Sequence, residues 1–465
     1  MILVTWIFSK RISTRVREFM VANRNVGVLA GAFSIASSWI WAPALFIAAQ
    51  KAYEQGIPGV FWFTFPNMLA LIVFAPLAGR IRKLMPEGYT LPEYIKARFD
   101  TKTHIAYMFS FLSLQLCSFG VQLLAGASLL HLLTGIAFWK IALLFALIAL
   151  AYSLISGLKA SVLTDFLQMA MILLVILIMI PMLLYKTQGL SSIIGGLGGI
   201  SGKFTNLFDP LVAYTFGIVV TIGLLSGPIG DQQHWQRAFA LKKNAVKKAF
   251  VLSAFVFVIV PLSLSILGFI GANPAISEGW IVEDTQFIGV ITVSNLLPNW
   301  VLVLFVYMLL AGLSSTLDSI LCASSSIGGI DIYKTYINKR ASEREILFVS
   351  RLFMLMITWG GLGISLIPGM KILYLFLFYG TLRAATMLPT ILSLYWRKLN
   401  TNGVFWGVVS SSLIGLPIFA SGLLIGDATY KILGSLYTIL IGLFCCVLFT
   451  LVKPEKFQAP QSDFT

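Results

Sequence analysis

The chain carries few charged residues for its length. Only 11% of its 465 residues are Asp, Glu, Lys or Arg, whereas 58% are hydrophobic. Because a soluble domain uses about 25% charged residues, this composition excludes an ordinary soluble protein. It indicates instead a polytopic membrane protein.

Cysteine and histidine are also scarce. The four cysteines all lie in apolar stretches, and the three histidines have no cysteine or carboxylate at metal-ligand spacing. Disulfides and a metal centre are therefore not expected. The sequence also lacks a phosphate-binding loop, a dinucleotide fingerprint and a Ser–His–Asp order, so we do not expect an enzyme.

Long apolar runs dominate what is present. A bilayer core about 30 Å thick needs about 20 apolar residues in a helix, and twelve runs approach or exceed that length. They lie at 27–52, 58–80, 104–133, 136–156, 160–185, 210–230, 249–271, 298–330, 347–367, 370–396, 403–425 and 431–452.

The formal net charge of +15 arises from four basic clusters, at 10–24, 80–102, 237–248 and 334–351. Even numbers of predicted spans separate these clusters, so all four lie on the side that the positive-inside rule makes cytoplasmic. Because the bases are split among short loops, no nucleic-acid partner is expected. We expect an integral protein of the plasma (cell inner) membrane, surrounded by lipid bilayer, with a cytoplasmic carboxyl terminus and no obligate protein partner.

Two predicted spans contain residues that interrupt helices. The first span carries Ser38 and Pro43, and the sixth carries Gly227 and Pro228. Interrupted helices in corresponding places of two halves indicate an inverted-repeat transporter with its site at the bilayer midplane. The alternative is that Gly and Pro are simply common in membrane helices.

Small and polar side chains form one stripe of the eighth span. Ser314 and Ser315 lie one helical turn after Ala311, so two hydroxyls and a backbone carbonyl would adjoin each other. Such neutral oxygens suit a sodium ion, which prefers hard donors. The alternative is that both serines bond back to carbonyls of the preceding turn and permit tight packing.

Three ionisable residues lie within predicted spans, where each needs a partner. Asp165 could bind a second cation, carry a proton or pair with Lys159 one turn away. Asp318 has no basic residue in its own span. Arg383 could neutralise either aspartate or face an anionic group of a solute.

A solute pocket would need aromatic walls and hydrogen-bonding groups. The candidates near the interrupted spans are Ser38, Trp39, Trp41, Gln115, Gln122, Tyr214 and Arg383. Each of them, taken alone, could equally be a packing residue.

Four segments together resemble the sodium:solute symporter family: 17–27, 89–99, 157–168, and 311–319 followed by 331–334. The resemblance implies an all-α polytopic membrane protein with the five-plus-five inverted-repeat fold of the bacterial leucine-transporter type. It also implies two additional C-terminal helices and a shortened N-terminal helix. The corresponding divisions are a truncated first helix and linker at 1–26, two repeats at 27–185 and 186–396, accessory helices at 397–452 and a cytoplasmic tail at 453–465.

The resemblance further implies a sodium site. It places cation-binding carbonyls at Phe33 and Ala36, opposite Ala311, Ser314 and Ser315. Asp165 matches the acidic position that serves a second sodium in some members, and Asp318 is a further candidate for a second cation or a proton. The coupling ion would be Na⁺, with no organic cofactor.

Within the family, segments 39–42, 52–59 followed by Phe61 and Trp62, and 231–237 look most like the active urea transporters. We therefore expect sodium-coupled symport of a small polar solute, urea or a similar small organic molecule, by alternating access. Arg383 stands where neutral residues are expected, so a charged solute stays open. The alternatives are a proton-coupled symporter that uses Asp165 or Asp318, a transporter-like solute sensor, and a passive channel.

Overall fold

The computed structural model describes residues 15–456, and this part of the chain is helical throughout. It contains no β-strand, and its one isolated β-bridge joins Val26 to Leu241. The predicted truncated helix falls largely on residues 1–14, and most of the predicted tail falls on 457–465. Both predictions therefore lie largely outside the described residues.

The helices are numbered here in chain order. The first eight are α1 (Val16–Val21), α2 (Val28–Trp39), α3 (Ala42–Leu84), α4 (Leu91–Arg98), α5 (Thr101–Thr134), α6 (Phe138–Lys186), α7 (Pro210–Ser226) and α8 (Gln232–Ala240). The others are α9 (Val246–Ala272), α10 (Thr285–Leu296), α11 (Asn299–Ile337), α12 (Glu343–Ser365), α13 (Ile372–Tyr395), α14 (Thr401–Leu424) and α15 (Ala428–Val452).

Ten helical segments in residues 15–456 are long and apolar enough to cross a membrane. Helix α6 supplies two of them, which meet at Gly157, and α3 bends in the same way at Gly56. Both glycines have a positive φ, of 57° and 58°, in a region that other residues rarely enter. A Cβ at Gly157 would also lie 2.5 Å from the ring of Phe19, so the bend needs glycine on two counts.

The first and sixth predicted spans are both broken, as the sequence predicts. Helix α2 ends at Trp39 and α3 begins at Ala42, with Pro43 in the first turn of α3, where a missing N–H costs nothing. Helix α7 ends at Ser226, and α8 begins only at Gln232. Each break leaves backbone groups free of the helix ladder in the protein interior.

The two breaks lie at the centre of the helix assembly. Helix α2 packs against α6, α9 and α11, while α7 packs against α13. Contact between α7 and α13 is close because Gly223 faces Gly380, where an added Cβ would lie 3.2 Å from the opposing Cα. Helices α14 and α15 pack on each other and on α13, which matches the two predicted accessory helices.

Candidate ion and solute site

Helices α2, α6 and α11 meet through a chain of hydroxyl groups. Ser37 Oγ donates to Ser315 Oγ at 2.8 Å, and Ser315 Oγ donates to Asp165 Oδ1 at 2.5 Å. Next to them, Thr316 Oγ1 donates to the carbonyl of Ile40, in the break after α2, at 3.2 Å. The polar stripe of α11 therefore faces the first broken span, as an ion site between them requires.

The stripe is displaced by one residue from the prediction, because Ser315 and Thr316, rather than Ser314 and Ser315, face α2. Ser314 Oγ donates to the Leu310 carbonyl at 2.7 Å, and the Ser314 carbonyl accepts from Tyr152 Oη at 2.5 Å. Successive residues of a helix point about 100° apart, so a face centred between Ser315 and Thr316 turns the Ser314 side chain away from α2. The back-bonding alternative is correct for Ser314.

The other predicted sodium ligands are distributed as follows. The Ala36 carbonyl accepts from the Ile40 N–H at 2.9 Å, and Ala36 is buried. Ala311 is buried one turn before Ser315. The Phe33 ring stacks on Phe166 with centroids 4.9 Å apart. Among the described contacts, Ser315 therefore contacts α2, whereas those of Phe33 and Ser314 are with other groups.

Asp165 pairs with a base that the sequence analysis did not propose. Arg237 Nη2 donates to Asp165 Oδ2 at 2.8 Å, and both side chains are at most 2% exposed. Ser34 Oγ donates to the same carboxylate oxygen at 2.6 Å, and Arg237 also donates to Ser34 and Ser319. The buried charge is therefore compensated by a guanidinium and surrounded by hydroxyls.

Two suggested pairings for the membrane aspartates are wrong. Lys159 pairs instead with Glu18 of α1, at 2.7 Å, and Arg383 pairs with neither Asp165 nor Asp318. The Lys159 side chain is 62% exposed whereas the Asp165 side chain is buried, so the two do not meet. Sequence proximity is a poor guide here, because the helix bundle decides which side chains meet.

Asp318 is buried beside Ser153. Ser153 Oγ donates to Asp318 Oδ1 at 2.7 Å, and Cys322 Sγ lies 3.8 Å from the same oxygen. Asp318 Oδ2 has no hydrogen bond of ordinary length within the described residues, and the hydroxyl of Ser161 is the donor beside this carboxylate. A buried carboxylate whose described donors are only hydroxyls and a thiol is costly when the group is ionised, which makes Asp318 a candidate proton carrier.

A second buried ion pair joins the break between α7 and α8 to α13. Arg383 Nη2 donates to Asp231 Oδ2 at 2.7 Å, and both side chains are at most 2% exposed. Asp231 also accepts from the side-chain amides of Gln115 and Gln233, each at 3.1 Å. Arg383 therefore has an internal partner, which its sequence position did not reveal.

Aromatic rings surround the guanidinium of Arg383. Its Cζ atom lies 4.7 Å from the ring centroid of Tyr379, 4.9 Å from that of Trp41 and 5.8 Å from that of Trp39. The two tryptophan rings stack on each other at 5.3 Å. These distances lie within the cation–π range of about 6 Å. Trp39, Trp41, Gln115 and Arg383 are thus brought together as the pocket prediction requires.

The remaining pocket candidates lie at the edge of this group or outside it. Gln122 Oε1 accepts from the Ala42 N–H at 2.8 Å and so caps the first turn of α3. Ser38 Oγ donates to the Ile35 carbonyl within α2. Tyr214 is 43% exposed and bonds to Thr429 of α15, so it does not join the buried group.

Asp231, Arg237 and Tyr379 are site residues that the sequence patterns did not predict. Asp231 and Arg237 belong to a quoted segment, 231–237, and both are charged residues beside a broken membrane span. That position is itself a signal, since ionisable groups at such depth need partners. Tyr379 gave no comparable signal, because an aromatic residue in an apolar span is ordinary.

A family model described as the sodium:solute symporter family matches residues 19–411. The chain is a member of the sodium:solute symporter family. Members of this family are secondary active symporters, and the similarity extends to curated relatives. A urea-proton symporter, DUR3, from Oryza sativa subsp. japonica is 25% identical over 95% of this chain and 67% of its own length. A sodium/pantothenate symporter from Haemophilus influenzae is 27% identical over 86% of this chain and 82% of its own length.

Among solved structures, this symporter resembles a Na⁺-coupled sialic acid symporter in a substrate-bound outward-open state. The TM-score is 0.78 at 18% sequence identity, with 98% of this chain and 96% of that chain covered. At that level of identity the likeness shows the fold alone. The predicted leucine-transporter-type fold is confirmed, and this protein is a multi-pass integral membrane transporter rather than an enzyme.

Proposed function

We propose that this symporter couples the inward movement of sodium to the uptake of a small neutral polar solute such as urea. The observation that carries the proposal is the hydroxyl chain from Ser37 through Ser315 to Asp165. It joins the broken first span to α6 and α11. A cation bound among these oxygens would therefore change how the broken span packs against the other two helices.

The donor set is suited to sodium. Hydroxyls of Ser37, Ser315 and Thr316, together with backbone carbonyls freed at the break, are hard oxygen ligands with little net charge. Asp165 adds one carboxylate, which Arg237 already neutralises. An entering monovalent cation would share this carboxylate with Arg237. The similarity to the Haemophilus sodium/pantothenate symporter supports sodium as the coupling ion.

The driving force is sufficient for accumulation. One positive charge that crosses a potential of about 100 mV releases about 2.3 kcal/mol. A tenfold sodium gradient adds about 1.4 kcal/mol, so one sodium ion sustains a solute gradient of about several hundredfold. A single ion site is thus enough.

The second group of residues supports a neutral solute. Asp231, Arg383 and the amides of Gln115 and Gln233 lie between the two broken spans, α5 and α13. The charges of Asp231 and Arg383 cancel there, which favours a neutral solute with hydrogen-bonding groups. The similarity to the rice urea-proton symporter supports urea as the solute.

Uptake into proteoliposomes tests the proposal. Purified protein should accumulate radiolabelled urea when sodium is present outside only, and an inside-negative potential should increase the rate. Vesicles with equal sodium on both sides and no potential are the control. Equal urea entry under both conditions would contradict coupling and would indicate a passive pathway.

Proton coupling is the second candidate, favoured by the buried carboxylate of Asp318 and by the similarity to the rice urea-proton symporter. An inward proton gradient in sodium-free buffer should then drive urea accumulation. Asp318→Asn should abolish that accumulation while leaving urea exchange intact. Accumulation that requires sodium and ignores the pH gradient would eliminate this candidate.

A further inference from the structure

The group around Arg383 has the composition of a cation-binding cage. Three aromatic rings, of Trp39, Trp41 and Tyr379, lie 4.7–5.8 Å from the guanidinium carbon. The Asp231 carboxylate closes the cage and contacts the guanidinium at 2.7 Å. Aromatic faces combined with a carboxylate are the usual means by which proteins hold organic cations.

This cage is filled by the side chain of the protein itself. Arg383 is 2% exposed and uses its Nη2 atom to contact Asp231. A free guanidinium or another small organic cation would need the same rings and the same carboxylate. It would also have to lie beside a fixed positive charge, which repels it strongly in a buried site.

The same guanidinium retains hydrogen-bond donors. Its Nε and Nη1 atoms have no partner within the described residues, and the Trp41 indole N–H is also unpaired. Two acceptors nearby, the side-chain oxygens of Gln115 and Gln233, are likewise unpaired. A buried polar group without a partner is costly, so this arrangement favours a ligand that offers an oxygen acceptor together with N–H donors.

We propose that Arg383 is a specificity-determining residue of the central site. It occupies the cation cage, so it excludes cationic solutes, and it presents N–H groups to the carbonyl oxygen of a neutral solute. The proposal rests on the proposed function for its account of transport, but the occupancy of the cage is testable by binding alone.

The first experiment measures rescue by free guanidinium. Arg383→Ala empties the cage and leaves the carboxylate of Asp231 unpaired. Guanidinium chloride at low millimolar concentration should raise the thermal unfolding temperature of this purified variant by several degrees. It should not stabilise the wild type. Sodium chloride at equal ionic strength is the salt control.

Arg82→Ala is the matched variant. Arg82 is also a buried arginine, but its guanidinium bonds to the carbonyls of Pro86 and Leu241, with no carboxylate partner among its described contacts. Guanidinium should leave its unfolding temperature unchanged. Equal responses of Arg82→Ala and Arg383→Ala would overturn the proposal, because stabilisation would then not depend on the cage.

A double variant guards against failure of folding. Asp231→Asn with Arg383→Ala contains no unpaired charge, and it should fold and show no guanidinium response. The proposal would also be supported if folded Arg383→Ala protein is obtained only when guanidinium is present. Arg383→Ala that stays unfolded with and without guanidinium, while the double variant folds, would count against it, because the cage would then fail to hold the free cation.

The transport experiment tests selectivity. Arg383→Ala should take up urea more slowly than the wild type, because it lacks the N–H groups that bind the carbonyl oxygen. Guanidinium should inhibit the remaining uptake at a concentration about tenfold or more below that needed for the wild type. Equal inhibition of the two proteins would overturn the exclusion of cations. Absence of urea uptake by the wild type would contradict the proposed function alone, since guanidinium rescue does not depend on transport.

Discussion

The two buried ion pairs of this symporter have nearly the same geometry and very different surroundings. Arg237 contacts Asp165 at 2.8 Å and Arg383 contacts Asp231 at 2.7 Å, with every one of these side chains at most 2% exposed. Hydroxyls line the first pair, and aromatic rings and amides line the second. The lining, rather than the pair, therefore distinguishes their roles.

Hydroxyl oxygens can bind a small cation, because the O–H groups of Ser34, Ser315 and Ser319 can rotate between donating a hydrogen bond and presenting a lone pair. Around Arg383, aromatic faces offer no lone pairs to an alkali ion, but they suit a flat organic group. We infer that the first pair belongs to the coupling ion and the second to the solute. Variants can test this division.

The largest effect is expected from Asp231→Ala. It leaves a buried guanidinium unpaired among aromatic rings, and loss of one partner of a buried pair costs about 3–5 kcal/mol of unfolding free energy. Denaturation in detergent measures the loss. The control is Glu18→Ala, which breaks the largely exposed pair with Lys159 and should cost about 1 kcal/mol or less. Similar losses for the two variants would show that burial of the second pair is unimportant.

A smaller effect on stability and a larger effect on coupling are expected from Asp165→Asn. The amide retains an oxygen for Arg237 and Ser34, while the charge that attracts a cation is lost. The sodium concentration for half-maximal urea uptake should rise about tenfold or more, since a charge-assisted contact is worth about 1.5–3 kcal/mol. Asp231→Asn is the comparison. It should change the urea concentration for half-maximal uptake more than the sodium concentration for half-maximal uptake. The reverse pattern would exchange the roles assigned to the two pairs.

The smallest effect is expected from Ser315→Ala, compared with Ser314→Ala. Ser315 links Ser37 to Asp165, whereas Ser314 bonds back to Leu310. Loss of one hydroxyl ligand should raise the half-maximal sodium concentration about fivefold, because a hydrogen bond contributes about 1 kcal/mol. Ser314→Ala should stay within about twofold of the wild type on the same scale. If Ser314→Ala proved the more harmful change, the sodium site would lie on the other face of α11, away from the hydroxyl chain of Ser37 and Ser315.

The fold was largely predictable from the sequence. Apolar runs mark the spans because a helix in lipid must be apolar and of sufficient length. The breaks at Trp39 and Ser226 were predictable because serine, glycine and proline cluster there. A single proline is not enough, since Pro261 and Pro389 lie inside continuous helices. Gly157 begins the family-like segment 157–168, but its positive φ is evident only from the structure.

The candidate site was predictable in residue types and not in pairings. Asp165, Asp318 and Arg383 were recognisable because charge inside a membrane span is rare. Their partners were not, since Arg237 and Asp231 are 72 and 152 residues distant in sequence from the groups that they pair with. The one-residue displacement of the α2-facing pair, from Ser314 and Ser315 to Ser315 and Thr316, has a similar cause. A helical stripe shows a period, but the packing of α11 against α2 sets its rotation.

By itself, the sequence determined that this protein crosses a membrane many times, that two spans break, and that a few charges lie at depth. Those properties follow from local hydrophobicity and backbone chemistry. Only the tertiary structure decided that Asp165 meets Arg237 among hydroxyls and that Arg383 lies in an aromatic cage with Asp231. The reason is physical: a buried charge must find compensation, but the helices that supply it are chosen by packing across the whole bundle.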